Sequence, residues 1–455
     1  PRAIAEAIEG PREVKSKSEK VKSVAEKVQG NAEVAKGAVK TPLNAFERSM
    51  YYEQVRNPGS MAYCMGFGLK VDGADAGQVA EAFRTVAAAH EAMHAHYAEE
   101  KGVPMRIDDG VLPEIEIRTA SGVDEAMRDA QTLPKMNDLS VTPFKAFVYR
   151  LPGKASVLAF SGHHIAFDGT TLSILLKEME KCYDGRDIFE EKTSAFDLST
   201  YEEAVKATDK YTEACTFFEN MFDGRDVSND FPCDFEDKGL STLDIVELDL
   251  TLEREKLLRF LKENNLTENS LFLAAYSYVL AKYNGNDASL VCAGESGRHS
   301  SMTFNTAGML VKTLALPVDL TGENNIADYV RGLQETFRNS VKNDVYPFSE
   351  LAAKYGLAND FSFVYQGDSF TTLRLGESTY PVTGLFNPDA MNKMTLMVFF
   401  RGDSYRLSFR FRSDLYSKEV IAAFADAYSC AVKEFLDKEL LKEVNLLSEN
   451  HEKLL

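Results

Sequence analysis

Apolar side chains along this chain repeat with two periods. Steps of three and four mark helices: about residues 44 to 55, a long segment from Asp75 in which Val79, Phe83, Val86, His90, Met93 and Tyr97 share a face, Leu172 to Tyr183, Leu271 to Tyr283, and a last run through Val420, Ile421, Phe424, Tyr428, Val432 and Phe435. Alternation marks strands, most cleanly at Tyr405, Leu407, Phe409 and Phe411. Apolar runs bounded by turn residues place further strands near residues 61 to 71 and at Val157 to Gly162, Ala288 to Ala293, Met309 to Val318 and Thr395 to Phe400. Arg401-Gly402-Asp403, between the last two strands, has the chemistry of a hairpin turn, which accounts for it more simply than an integrin-binding tripeptide does. Helices and strands interleave in both halves, so the expected fold class is α/β, an α+β layered architecture.

The acidic, turn-rich stretch from Tyr183 to Gly239 carries two similar turns, Asp184-Gly185-Arg186-Asp187 and Asp223-Gly224-Arg225-Asp226, around a helical segment. It divides an expected N-terminal lobe, residues 41–215, from a C-terminal lobe, residues 216–455. Residues 11–40 are rich in Lys, Glu, Ala and Val with few large apolar side chains, and are expected to form a solvated linker.

Composition narrows the function classes. A chain of 455 residues exceeds one core at roughly 150 residues per domain, so two or three units are expected. A formal charge of -19 repels nucleic acid. No apolar run reaches the roughly eighteen residues of a membrane span, and the Pro1-Arg2 start has no signal-peptide core, so the expected location is cytoplasmic, with no membrane partner. The start without methionine is expected of a piece of a longer polypeptide. Cys64, Cys182, Cys215, Cys233, Cys292 and Cys430 are far apart without C-x-x-C spacing, which predicts reduced thiols.

The densest chemistry follows Val157 to Gly162: His163-His164-Ile165-Ala166-Phe167-Asp168-Gly169. Adjacent strand residues point to opposite faces, so one histidine of the pair can act while the other packs. Phe167-Asp168-Gly169-Thr170 then turns into a helix, and a strand-to-helix junction brings a histidine together with free backbone N–H groups, the equipment of acyl transfer. The bland alternative is a buried strand histidine beside an Asp-Gly turn. His90-Glu91-Ala92-Met93-His94 matches the H-E-x-x-H zinc pattern, but His90 lies on the apolar stripe, Ala95-His96-Tyr97 lacks the further Gly and His of one zinc class, and no third ligand is evident. A packed helix histidine is expected there, and no metal.

An ordered series of segments resembles the condensation domains of nonribosomal peptide synthetases, relatives of chloramphenicol acetyltransferase, from Pro42 to Leu455. The series runs through Pro42-Leu43-Asn44-Ala45-Phe46-Glu47-Arg48, Ala89-His90-Glu91-Ala92-Met93-His94, the HHIAFDG motif, Gly297-Arg298, Gly308-Met309-Leu310-Val311-Lys312-Thr313-Leu314 and Tyr346-Pro347-Phe348. The resemblance implies two chloramphenicol-acetyltransferase-like lobes in a V around a central tunnel, and formation of an amide between two thioesters. It implies no directly bound cofactor: the substrates ride on the 4'-phosphopantetheine arms of an upstream donor carrier domain and a downstream acceptor carrier domain, beside an adenylation domain. His164 is then the acting histidine, as base or as electrostatic stabiliser. Asp168 is structural, Gly169 offers a backbone N–H to the thioester oxygen, and His163 packs behind the strand. Arg298 supports the site, while Gly308 and Lys312 line the tunnel.

Departures from the family pattern are as informative. Glu47 stands for a usual glutamine and Lys312 for a usual asparagine. Ala89 and His94 replace the two arginines of the second signature, one of which commonly pairs with the motif aspartate, so Asp168 needs another partner. Residues 1–10, with Pro1-Arg2-Ala3-Ile4-Ala5-Glu6-Ala7-Ile8, are similar to the last helix of a carrier domain, and Leu446-Leu447-Ser448-Glu449-Asn450 resembles the exit toward an adenylation domain. Three alternatives stand beside this reading. An epimerisation domain shares the motif but usually carries a tryptophan just after it, whereas this chain has Thr170-Thr171 and no Trp at all. A silent docking domain is expected to lose the motif histidine. The third alternative is the zinc hydrolase.

Overall fold

Asn44 and Glu47 start the first helix reciprocally: Asn44 Oδ1 accepts from the Glu47 N–H at 2.8 Å and Glu47 Oε2 from the Asn44 N–H at 2.9 Å. The computed structural model describes residues 38–447, apart from residues 134, 135, 190, 226, 228, 230, 286, 323, 324, 369–371 and 386. The segment 1–10, the expected linker up to residue 37, Asp226 of the second acidic turn, and Ser448, Glu449 and Asn450 lie outside the described residues.

The first part of the chain runs β1 (Val39–Pro42), α1 (Ala45–Arg56), β2 (Cys64–Asp72), α2 (Ala76–Ala88), α3 (Glu91–His94), β3 (Ala95–Glu100), β4 (Val103–Asp108), β5 (Glu114–Thr119), α4 (Val123–Ala130), β6 (Phe144–Leu151), β7 (Ala155–His163), α5 (Gly169–Tyr183) and α6 (Ala195–Val205). It continues with α7 (Asp209–Phe222), β8 (Leu243–Leu250), α8 (Arg254–Asn264), α9 (Glu268–Asn284), β9 (Ala288–Glu295), β10 (Lys312–Asp319), α10 (Ile326–Lys342) and α11 (Phe348–Tyr355). The last elements are β11 (Phe361–Gly367), β12 (Thr372–Leu375), β13 (Ser378–Gly384), β14 (Met394–Phe400), β15 (Tyr405–Arg412) and α12 (Lys418–Phe435).

Two six-stranded sheets organise the molecule, in the orders β12-β13-β2-β7-β6-β5 and β10-β9-β11-β14-β15-β8, with a small β1-β4-β3 sheet beside them. Most neighbouring strands are antiparallel, but β5 runs parallel to β6, and β11 runs parallel to both β9 and β14. Period-two alternation is visible in β7: Leu158 and Phe160 join the core built with Val79, Phe83 and Val86 of α2 and Leu172, Leu175 and Met179 of α5, whereas Val157 and Ala159 join the core under Ala126 and Ala130 of α4. Helix α9 is buried at every residue from Ser270 to Ala281, clasped among α12, α10 and the second sheet. The layered α/β class expected from the pattern is the observed one.

Three boundaries differ from expectation. The long helix from Asp75 stops at Ala88; His90 is extended at φ −124°, ψ 114°, and Tyr97 belongs to β3. Spacing of three and four persists there across a change of backbone, because buried contacts rather than propensity place His90, Met93 and Tyr97. The expected lobe division at 215/216 falls inside α7, whose Ala214, Phe218 and Phe222 pack on Leu290, Ala315, Tyr346 and Leu351 of the later chain. In addition, β12 and β13 leave the C-terminal half and join the first sheet, with Val382 opposite Leu69. The expected strand from Met309 begins instead at Lys312, because residues 306 to 310 are bound to the first half.

Candidate functional site

Strand β7 delivers the histidine pair to two different environments. His163, its last residue, is fully buried; Nδ1 accepts from the Ile165 N–H at 3.1 Å, so Nε2 carries the proton and donates to Gln54 Oε1 at 3.0 Å. Burial, seconded by its neighbour His164, pushes this imidazole down to about 3. His164 begins the turn, its N–H donating to the Tyr63 carbonyl at 2.7 Å. Its Nδ1 is buried without a partner in hydrogen-bonding geometry. Burial also holds His164 below the ordinary imidazole range, against the opposing pull of Asp168 and the nearby carbonyls of His164 and Phe167. The side chains therefore divide as strand parity requires: the His163 imidazole is locked at both nitrogens, whereas His164 makes no side-chain hydrogen bond to another side chain.

Asp168 is the N-cap of α5 and is wholly buried. Oδ1 accepts from the Thr171 N–H at 2.8 Å; Oδ2 accepts from Arg298 Nη1 at 2.8 Å and from the Leu310 N–H at 3.1 Å. Arg298 is thus the partner that the missing arginines left open. All of its N–H groups are occupied, with Nε on the Thr306 carbonyl at 3.1 Å, Nη1 also on the Ser296 carbonyl at 3.0 Å, and Nη2 on the Thr306 carbonyl at 2.8 Å and Thr171 Oγ1 at 3.2 Å. Gly308 sits at the same seam at φ 141°, its N–H donating to Thr171 Oγ1 at 3.0 Å. A Cβ there would come within 2.7 Å of the Ala195 Cβ. Gly169 is the first residue of α5.

Lys312 is engaged: its ammonium pairs with Glu202 of α6, whose other oxygen accepts from the Ala45 N–H at 3.2 Å. Beneath this pair, Glu47 (1% exposed) and Arg106 (0%) form a buried ion pair at 3.1 Å. Burial raises the Glu47 carboxyl above the usual range despite the lowering effect of Arg106. The glutamate that replaces a glutamine therefore has a cation of its own from β4. Sequence reasoning missed Arg106, Gln54, Glu178 and Glu191. Glu178 carried a signal, since it falls on the apolar stripe of α5; Arg106 carried none.

The H-E-x-x-H ligand geometry is absent. His90 lies ahead of α3 with Nε2 2.7 Å from Glu178 Oε2 and Nδ1 3.3 Å from Glu191 Oε1, while His94 Nδ1 is 2.8 Å from Asp108 Oδ1. Two carboxylates push His90 up to about 10 against burial, the largest single influence. Among the described residues, a single set gathers potential metal donors within 4.8 Å: Glu295, His299 and Asp344. There His299 Nε2 bridges the carboxylates at 3.3 and 3.1 Å, which accounts for the cluster without an ion. None of the six cysteines is in a disulfide, and no described helix is long and apolar enough to cross a membrane.

Residues 38–455 match the family profile described as Condensation domain. Among curated proteins, bacitracin synthase 3 of Bacillus licheniformis is 27% identical over 328 residues, 70% of this chain and 5% of that protein. Bacitracin synthase 2 of the same organism is 25% identical over 423 residues, 90% of this chain and 16% of that protein. The chain thus spans a small part of the relatives it matches. Among solved structures, the first condensation domain of the calcium-dependent antibiotic synthetase, in complex with a substrate analogue, superposes with a TM-score of 0.74 at 17% identity, covering 90% of this chain and 99% of that one.

Proposed function

The chain belongs to the condensation-domain family, and on that premise we propose that it joins a donor acyl or peptidyl thioester to the α-amine of an acceptor aminoacyl thioester within a nonribosomal peptide synthetase. One observation carries this reading: in HHIAFDG, His163 and Asp168 are committed to structure by side-chain hydrogen bonds, while His164 makes none and is held toward its neutral form by burial.

In this reaction the acceptor nitrogen attacks the donor carbonyl carbon, a C–N bond forms, the C–S bond breaks, and the proton lost by nitrogen ends on the departing carrier thiol. A free α-amine titrates near about 8, so a useful fraction is already nucleophilic at neutral pH. His164 then either receives the proton of the attacking nitrogen or stabilises the charged tetrahedral adduct. Its neutral form suits both roles. Gly169, at the positive end of α5, turns its N–H toward the developing oxyanion, and Asp168 fixes that loop through charge-assisted hydrogen bonds. Gly308 and Lys312 belong to the walls that select substrate, with Lys312 acting as a charge already balanced by Glu202.

Both substrates arrive on phosphopantetheine arms of separate carrier domains in the cytoplasm, upstream for the donor and downstream for the acceptor beside an adenylation domain. The chain itself binds no further cofactor. Incubating it with loaded donor and acceptor carriers and following both by mass spectrometry tests the proposal. An acyl-aminoacyl species on the acceptor carrier supports it. A donor inverted at its α-carbon without amide formation would make this an epimerisation domain, and two unchanged carriers would make it a docking platform.

A further inference from the structure

Five consecutive residues of the C-terminal half each make a hydrogen bond to the first half. Thr306 Oγ1 donates to the Thr193 carbonyl at 2.6 Å, the Ala307 N–H to Glu191 Oε1 at 2.7 Å, the Gly308 N–H to Thr171 Oγ1 at 3.0 Å and the Leu310 N–H to Asp168 Oδ2 at 3.1 Å, while the Met309 carbonyl accepts from Asn44 Nδ2 at 3.3 Å. Immediately before this seam, residues 300 to 305 form exposed turns, with Met302 at 49% and Phe304 at 57% exposure. The seam is therefore where an exposed turn becomes a fixed wall against the loop of His164 and Asp168.

Glu191 is one of two carboxylates among the anchors, beside Asp168, and the one that lies outside the motif. Its side chain is 8% exposed, and the same oxygen that holds the Ala307 N–H lies 3.3 Å from Nδ1 of the fully buried His90. A carboxylate makes a stronger acceptor than a neutral group, but burying it is costly unless a cation sits beside it. His90 is that cation, and its other nitrogen is held by Glu178 of α5, the helix that Asp168 caps. A buried chain thus runs from α5 through Glu178, His90 and Glu191 to Ala307.

We propose that Glu191 is a positioning residue for the reaction, which acts by holding the Ala307–Leu310 wall in register with the His164 loop. The inference rests on the proposed condensation activity and adds to it a residue outside the motif. Displacement of a site wall by about 1 Å is enough to cost on the order of a hundredfold in rate.

Three proteins test this: wild type, Glu191→Ala, which removes the acceptor, and Glu191→Gln, which keeps it without the charge. Amide hydrogen exchange of the full chain should be at least tenfold faster at residues 307 to 310 in Glu191→Ala, with little change in Glu191→Gln. In the condensation assay, kcat should fall at least tenfold in Glu191→Ala with KM within threefold, and Glu191→Gln should recover most of the loss. Unchanged exchange at 307 to 310 overturns the inference, and so does a kcat within twofold of wild type. If wild type forms no amide, the proposed function fails, and the exchange measurement still decides whether Glu191 holds the wall.

Discussion

Four histidines show how neighbours rather than residue type decide chemistry. His163 and His90 are equally buried and shifted in opposite directions, one down to about 3 by desolvation, the other up to about 10 by Glu178 and Glu191. The consequences for stability have opposite sign. An unfolded imidazole titrates near 6.5, so below that pH the unfolded chain takes a proton that folded His163 refuses, and stability is lost as pH falls from 6.5 toward 3. The contribution of His90 is complete below 6.5 and is lost as pH rises toward 10. Denaturant midpoints measured from about pH 4 to about pH 9.5 should show His163→Asn flattening the acid limb and His90→Gln flattening the alkaline limb. A variant that parallels wild type across its limb contradicts the assignment. His164 makes the catalytic prediction: His164→Ala should lower amide formation by about 10² to 10⁴ with a native-like melt, and full activity in that variant would remove the histidine from the mechanism. His94, paired with Asp108, has no such task. Site residues within the motif were legible because they are contiguous. The Asp168–Arg298 contact spans 130 positions, and no local pattern announces it.

Among the elements, those with one buried face were read closely: α1, α5, α12, β14 and β15 begin and end within a few residues of their periodic runs. α9 extends the run from Leu271 to Tyr283 by a few residues, and its ends at Glu268 and Asn284 are set by a Thr267 cap and a Gly285 stop. Elements whose existence depends on distant pairing were missed. β12 and β13 form because β2, more than three hundred positions away, offers an edge, and their short runs carry no alternation strong enough to signal it. The turn between β9 and the 306–310 seam makes an element-scale prediction. Gly297 has φ 66°, and a Cβ there would lie 2.0 Å from the Leu310 carbonyl oxygen, a backbone atom that cannot swing aside. Gly68, in β2, meets only the flexible end of Met127 at 2.7 Å. Gly297→Ala should therefore cost several times more stability than Gly68→Ala, about 3 kcal/mol or more against about 1. Equal midpoints for the two variants in urea would contradict the close approach.

At the scale of the whole molecule, the two large sheets are not independent bodies joined by a linker. The first sheet borrows β13 from the later chain, Asp389 Oδ2 accepts from the Met61 N–H at 2.8 Å, Asn387 Nδ2 donates to the Cys64 carbonyl at 2.9 Å, and the 306–310 seam closes on the Asp168 loop. Arg298 is the most connected of these ties, since one guanidinium satisfies Asp168, Thr171 and the carbonyls of Ser296, Thr306 and Gly308 while 7% exposed. Removing it strands a buried carboxylate, and breaking such a pair costs about 3 to 5 kcal/mol. Because that cost falls on the seam between the halves, it should weaken their coupling as well as their sum. Calorimetry of wild type is expected to show one cooperative transition over the described fold. Arg298→Met should lower the midpoint and split the transition, with the sheet around α9 and α12 melting last because its core is the larger. The double variant Asp168→Asn, Arg298→Met removes the stranded charge while Asn still caps α5, so it should regain part of the midpoint. A single unshifted transition in Arg298→Met would mean that β13 and the Asn387–Asp389 contacts hold the halves together without the buried pair.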